Sequence, residues 1–160
     1  MATDLERLAL RNAPDPPRPS DGDALRLLPL TPASEPAFPL LHPYVEVVYA
    51  PIVGPTAVLL ARSLGRHLMA TPGPATVSPV VLALALGLRA THDHPLGKRA
   101  ALRHALDRLE HAHLVRWLGD TDLGVHTGAP AVNERTLSKL PPPARAAHQH
   151  FIAAFGPTAG

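Results

Sequence analysis

Proline is the residue that most restricts what this chain can fold into. The sequence of 160 residues contains 20 prolines, and nine of them lie in the first 43 positions, in runs such as Pro-Pro-Arg-Pro at 16–19. Proline has no backbone N–H and restricts the residue before it, so neither a long helix nor a central strand is expected there. The pattern predicts a largely irregular arm over residues 1–43, either a solvated leader or a partner-binding tail.

The next segment, residues 44–127, is expected to form one small domain. It begins at 44–49 with β-forming side chains, which predict a short strand or an extended lead-in. Pro55 can then occupy the first turn of a helix, where its missing N–H needs no partner. Leucines at 60, 64 and 68 repeat every four residues, which predicts an amphipathic helix that ends near Met69.

A very short strand at 76–77 and a short helix are expected next. Ser78 is suited to cap this helix, with Pro79 as its first residue. The helix is apolar on nearly all sides, so it is expected to be largely buried as far as Gly87, which ends it.

A longer helix is predicted over 96–113, followed by a hairpin within 114–127. Two β-competent runs there flank the turn-rich Gly-Asp-Thr-Asp at 119–122. Residues 128–160 are predicted to form a loop and a C-terminal helix, which spans 144–155.

These elements, in this order, resemble the winged helix-turn-helix superfamily of bacterial regulators. The resemblance is carried by the apolar helix and glycine turn at 82–88, the Leu-x-x-Ala-Leu-x-Arg-Leu-Glu pattern at 102–110, and Leu-Val at 114–115. It covers residues 54–127, about half of the chain. It implies a mainly α fold with a small β-hairpin, preceded by the irregular arm and followed by the C-terminal helix. It also implies a transcriptional regulator that places its third helix in the major groove of DNA.

Helical geometry separates the faces of that third helix. Leu102, Leu106 and Leu109 fall on one narrow stripe and are expected to be buried. His104 and Arg108 lie on the opposite side, so they are the expected base-reading residues. Phosphate contacts are expected from Lys98, Arg99, Arg103 and Arg116, and Arg89 completes the set of expected DNA-contacting residues.

Charge is unevenly distributed along the chain. Residues 1–46 hold four Lys or Arg against seven Asp or Glu, whereas residues 47–118 hold eight against three. The basic middle favours a polyanion, which could be double-stranded DNA, structured RNA or an acidic protein surface. Asp120 and Asp122 at the hairpin tip would repel phosphate, however. A second hypothesis is therefore an adaptor that docks a protein partner through the wing or the Pro-rich arm.

Several other classes of function have little support in the sequence. There is no cysteine, which excludes disulfides and thiolate ligands or nucleophiles. Histidine pairs at 92/94, 111/113 and 148/150 lack a nearby third ligand, so no metal and no cofactor are expected. No phosphate loop, GxSxG or HExxH motif occurs, so an enzyme is not expected.

The ends of the chain complete the predictions. The N-terminus does not resemble a signal peptide, and no apolar stretch is long enough to cross a bilayer, so a cytoplasmic protein without membrane contact is expected. The last helix ends in Phe151, Ile152 and Phe155, which favours self-association as a homodimer through these side chains.

Overall fold

The computed structural model describes residues 24–89 and 95–155. Within these residues the fold is mixed α/β, with six helices and six short strands. The helices are α1 (Pro43–Val53), α2 (Pro55–Ala70), α3 (Pro79–Ala85), α4 (Ala101–His111), α5 (Glu134–Leu137) and α6 (Pro142–Phe155). The strands are β1 (Leu25–Leu30), β2 (Ala37–Pro39), β3 (Ala75–Val77), β4 (Val115–Trp117), β5 (Asp122–His126) and β6 (Gly128–Pro130).

The strands form two sheets. The larger has the order β3-β1-β5-β4, in which β1 is antiparallel to β3 and parallel to β5, while β4 and β5 form an antiparallel hairpin. Leu27 pairs with Ala75 on one side and with Leu123 on the other, so β1 occupies the middle of this sheet. The smaller sheet pairs β2 with β6.

One face of the larger sheet belongs to the hydrophobic core. Leu25 and Leu27 of β1, Leu123 and Val125 of β5, and Val115 of β4 are buried. Helices α2 and α4 contact this sheet and each other, and α1 and α6 pack together beside them. The residues that alternate with the buried ones lie on the outer face of the sheet.

The expectation of an irregular arm is wrong for residues 25–30 and 37–39, which form β1 and β2. Leu25 and Leu27 alternate with exposed Arg26, the pattern of a strand with one buried face. Pro29 is tolerated because it lies past Leu27, where pairing with β3 stops and β1 has a neighbour on one side only. Residues 1–23 of the expected arm lie outside the described residues.

The strand predicted at 44–49 is also wrong, because this segment belongs to α1. Pro43 starts the helix, and His42 caps it by accepting the backbone N–H of Tyr44 at 3.0 Å. Residues 44, 45, 48 and 49 are buried while 46 and 47 are exposed, which is the period of a helix. Burial on this period outweighs the β preference of valine and tyrosine.

The middle of the chain follows the sequence prediction closely. Helix α2, strand β3, the Ser78 cap of α3 and the β4–β5 hairpin are confirmed, as is the C-terminal helix. Gly87 ends α3 with a φ of 73°, the conformation for which glycine was expected. Burial of α3 is only partial, however, because Val81 and Leu84 are 62% and 59% exposed.

Candidate functional site

Helix α4 is fixed against the core by one face, as its leucine spacing predicts. Leu102, Leu106 and Leu109 are buried, and Ala105 extends the same stripe. The face prediction is therefore confirmed. Since the core takes this face, the surroundings of the remaining α4 residues decide what the helix can bind.

Lys98 and Arg99 lie in a turn before α4 and not within the helix, so the predicted helix start at 96 is wrong. Helix α4 begins at Ala101, and Ala100 donates its N–H to the carbonyl of Gly97 at 2.9 Å. Buried Leu96 anchors this turn, whereas Lys98 and Arg99 are exposed. In the described part of the chain neither side chain has an ion-pair partner.

The side chain of Arg103 makes contacts with other residues of the chain. Its Nε donates to Oδ1 of Asp107 at 3.1 Å, and its guanidinium carbon lies 5.6 Å from the ring centroid of Trp117 on β4. One carboxylate oxygen of Glu110 accepts the backbone N–H of Trp117 at 3.2 Å. This side of α4 is thus tied to the hairpin, and it carries two carboxylates beside one arginine.

His104 and Arg108, the expected base-reading residues, line a cleft of about 960 Å³. The cleft lies between the exposed face of α4, the C-terminal end of α1 and residues 130–136. Nη1 of Arg108 donates to the backbone carbonyl of Val53 at 3.4 Å, so the guanidinium lies across the end of α1. A strand expected at 44–49 would not have placed a helix end beside Arg108.

The remaining predicted cations do not join α4 in one surface. Val115 faces the core, so its neighbour Arg116 lies on the outer face of the sheet, paired in register with Gly124. Arg89 is exposed. The expected DNA-contacting residues are therefore divided among five places: Lys98 and Arg99 in the turn before α4, His104 and Arg108 in the cleft, Arg103 beside the hairpin, Arg116 on the outer sheet face, and Arg89 after α3.

Two tyrosines of α1 hold the other wall of the cleft, and sequence reasoning missed both. The hydroxyl oxygen of Tyr44 accepts the backbone N–H of Val132 at 3.0 Å and lies 2.7 Å from Nδ1 of His148. The hydroxyl of Tyr49 donates to the carbonyl of Pro130 at 2.6 Å. Burial raises the pKa of both tyrosines, so each keeps its proton over the ordinary pH range. The apolar and aromatic side chains at 44, 45, 48 and 49, which fit a period of 3.6, are the signal that could have found them.

The residues proposed for self-association are used within the chain. The ring of Phe151 lies 6.1 Å from that of Tyr44 and 6.4 Å from that of Phe38, edge-on to both. Ile152 is half-buried against the same core. The side chain of Phe155 lies outside the described residues, and the homodimer stays a prediction.

Two absences hold for the described residues. No three or more histidines, aspartates or glutamates among them are grouped so that they could hold a metal ion. The histidine pair at 92/94 lies outside the described residues. None of the described helices combines the length and apolar character needed to cross a bilayer.

Comparison with models of protein families, with curated proteins and with solved structures found no match to this chain.

Proposed function

We propose that the chain is a winged-helix DNA-binding module of a transcriptional regulator, which contacts the duplex with the N-terminal end of α4. The order α2, β3, α3, α4 and then the β4–β5 hairpin is the order that the sequence resemblance implies. The observation that carries the proposal is the position of Lys98 and Arg99. Both are exposed and without an ion-pair partner in the described residues, at the start of a helix whose opposite face is anchored by leucines.

This end of α4 suits a duplex better than its middle does. Gly97, Ala100 and Ala101 are small and would let the backbone approach a groove closely. Beyond the first turn, the carboxylates of Asp107 and Glu110 would repel phosphate. The proposed contact is therefore narrower than the sequence suggested, and it relies on phosphate contacts that position the protein on DNA.

The test is a salt titration of binding to mixed genomic duplex fragments. Removing both exposed cations, as Lys98→Ala with Arg99→Ala, should weaken binding to every sequence and reduce the slope of log affinity against log salt by about two units. The matched control is Lys139→Ala with Arg145→Ala, which removes the same charge from two exposed residues near and on α6.

The control variant should keep the slope of the wild type. Equal weakening by both double variants would mean that net charge, not the end of α4, governs binding. Failure of the wild type to bind any duplex at low salt would remove the DNA proposal.

A second candidate function, a protein-binding adaptor, is favoured by the exposed apolar face of α3. Val81 and Leu84 are one helical turn apart and therefore share a face, and exposed Ala85 lies next to them. A phosphate backbone would gain nothing from these side chains, whereas a protein surface would bury them.

This candidate is tested with a matched pair of proteins, the wild type and a variant with Val81→Glu and Leu84→Glu. Both residues are exposed, so the variant should fold, which circular dichroism checks. An adaptor should retain a defined cellular protein that the variant loses, while duplex binding is absent from both. Duplex binding that survives in the variant supports the DNA proposal.

A further inference from the structure

Among the residues that the structure describes, the large cleft beside α4 contains a cation that is not balanced by a carboxylate. Asp107 is the one acidic residue of the described lining, and that carboxylate accepts from Arg103, which lies outside the lining. Arg108 has no carboxylate partner among the described residues and uses one guanidinium nitrogen on the carbonyl of Val53. The cleft wall therefore holds one uncompensated positive charge with donors to spare.

The guanidinium of Arg108 lies close to the backbone at the junction of α1 and α2. A Cβ atom built on Gly54 would lie 2.8 Å from Nη1 of Arg108, so a side chain at position 54 would displace the end of the arginine. Gly54 also has a φ of 89°, which side-chain-bearing residues rarely adopt. The glycine thus leaves room for the guanidinium beside the cleft.

Three histidines surround the same space. His104 lies four residues before Arg108 and His111 lies three residues after it. The two histidines and the arginine therefore share one face of α4. His113 follows the helix end with a φ of 61° and also lines the cleft. Imidazole N–H groups can donate hydrogen bonds to an anion beside the guanidinium.

One part of the lining is suited to an apolar body, beside the polar side chains of Ser34, Asn133 and Thr136. Ile52, Val132 and Ala112 contribute aliphatic surface, and the ring of Tyr49 contributes an aromatic wall. A volume of about 960 Å³ is within the range of sites for small organic molecules. A cleft with an apolar wall, one guanidinium and several hydrogen-bond donors is complementary to a molecule with an apolar body and an acidic group.

We propose that this cleft is a binding site for a small organic anion, with a carboxylate or phosphate group on Arg108 and an apolar body against α1. A guanidinium can hold either group through two parallel hydrogen bonds. The inference does not depend on DNA binding, since the turn with Lys98 and Arg99 is not part of the cleft lining.

The probes are benzoate, benzamide and benzamidine, which share a shape and differ in charge, together with inorganic phosphate. Each is titrated into isotopically labelled full-length protein at constant ionic strength, and amide and Arg108 Nε resonances are followed by NMR. Benzoate should give saturable shifts at Arg108, His104 and His111, and benzamide and benzamidine should bind more weakly. If phosphate shifts the Arg108 resonance as strongly as benzoate does, the acidic group alone accounts for binding. If only benzoate shifts it, binding also requires the apolar wall.

Two variants and a control complete the test. Arg108→Gln should weaken benzoate binding by about tenfold or more, the loss expected for a charge-assisted hydrogen bond. His104→Ala, at an exposed residue, should weaken benzoate binding less than Arg108→Gln does. It replaces Arg108→Gln as the test variant if that protein does not fold. Arg145→Gln on α6 should change nothing. Equal shifts with benzoate and benzamide, no saturable shift with any anion, or unchanged binding by both cleft variants would overturn the proposal.

Discussion

The phenolic oxygen of Tyr44 lies 2.7 Å from Nδ1 of His148, and the same oxygen accepts the backbone N–H of Val132 at 3.0 Å. The hydroxyl hydrogen is then available for Nδ1, which must be unprotonated to accept it. One side-chain oxygen therefore joins α1, the segment after β6 and α6. The ring of Tyr44 is buried and stacked on Phe38 at a centroid distance of 4.0 Å, so the junction is held rigidly.

Removing that oxygen is expected to destabilise the fold. Tyr44→Phe keeps the stacked ring but leaves the N–H of Val132 without its acceptor, which should cost about 1–3 kcal/mol. Urea unfolding followed by circular dichroism measures the change. A loss below about half a kcal/mol, the usual effect of surface changes, would mean that water replaces the hydroxyl without cost.

Stability is expected to fall on mild acidification because of His148. Burial lowers the pKa of this imidazole below its ordinary 6.5, against the smaller opposing effect of the Glu134 carboxylate. The unfolded chain then binds a proton first, so the free energy of unfolding decreases as pH falls through about 6.5 towards the lower folded pKa. Above about pH 6.5 the imidazole is neutral in both the folded and the unfolded chain, so no stability is lost there.

The chain contains ten histidines, so the effect of His148 is measured as a difference between two proteins. Unfolding free energies of the wild type and of His148→Gln are compared at pH 7.5, 6.5 and 5.5 (pH values chosen to span about one unit on each side of the ordinary histidine value). The variant should lose less stability on acidification. Parallel curves would show that His148 has the same pKa in the folded and unfolded chains.

The leucine stripe of α4 provides a third prediction. Leu106→Ala should cost about 2–5 kcal/mol, because the side chain is fully buried in the hydrophobic core. Leu59→Ala is the matched control, since Leu59 is on α2 but 52% exposed, and should cost less than about 1 kcal/mol. Similar losses at both sites in urea unfolding would mean that α4 does not present this face to the core.

The ends of α3 and α4 give a fourth prediction, because they share one geometry with different residues. After α4, His113 N–H binds Glu110 carbonyl at 3.0 Å and Leu114 N–H binds Leu109 carbonyl at 2.9 Å. The same two bonds follow α3, where Gly87 takes the place of His113. Glycine adopts this positive-φ conformation without strain, so His113→Gly should stabilise the fold by about 0.5–1 kcal/mol. Gly87→Ala should destabilise the fold by about 1 kcal/mol. Thermal unfolding checks both signs, and destabilisation by His113→Gly would mean that the histidine ring itself stabilises the helix end.

Local signals in the sequence predict the middle of this fold well. Ser78 with Pro79, Gly87, and the leucines of α4 each determine a cap, a turn or a buried face through contacts with near neighbours. Strand β1 and helix α1 could not be found in this way. The high proline content argued against a strand at Leu25 and Leu27, and β propensity argued against a helix at 44–49. Both elements depend on packing against residues that are distant in the sequence.

The candidate site shows the same division. Exposure of Lys98 and Arg99 agrees with the sequence prediction that they lie off the leucine stripe. The position of Arg108 could not be predicted, because it depends on the end of α1, which is far away in the chain and belongs to a helix that was not predicted. The cleft is a product of tertiary packing, so no helical wheel of α4 alone could predict it.

The central place of β1 has a consequence for how the molecule folds. Arg26 and Asp122 form a bidentate ion pair across β1 and β5, although 96 positions separate them in the sequence. A nascent chain therefore makes β1 and β3 before β5, and β1 obtains its second neighbour in the sheet only after β5 has been made. The open edge of β1 is exposed to other chains in the meantime. Such non-local pairing slows folding relative to a helical protein of this length, and it makes strand insertion, not helix formation, the step most sensitive to concentration.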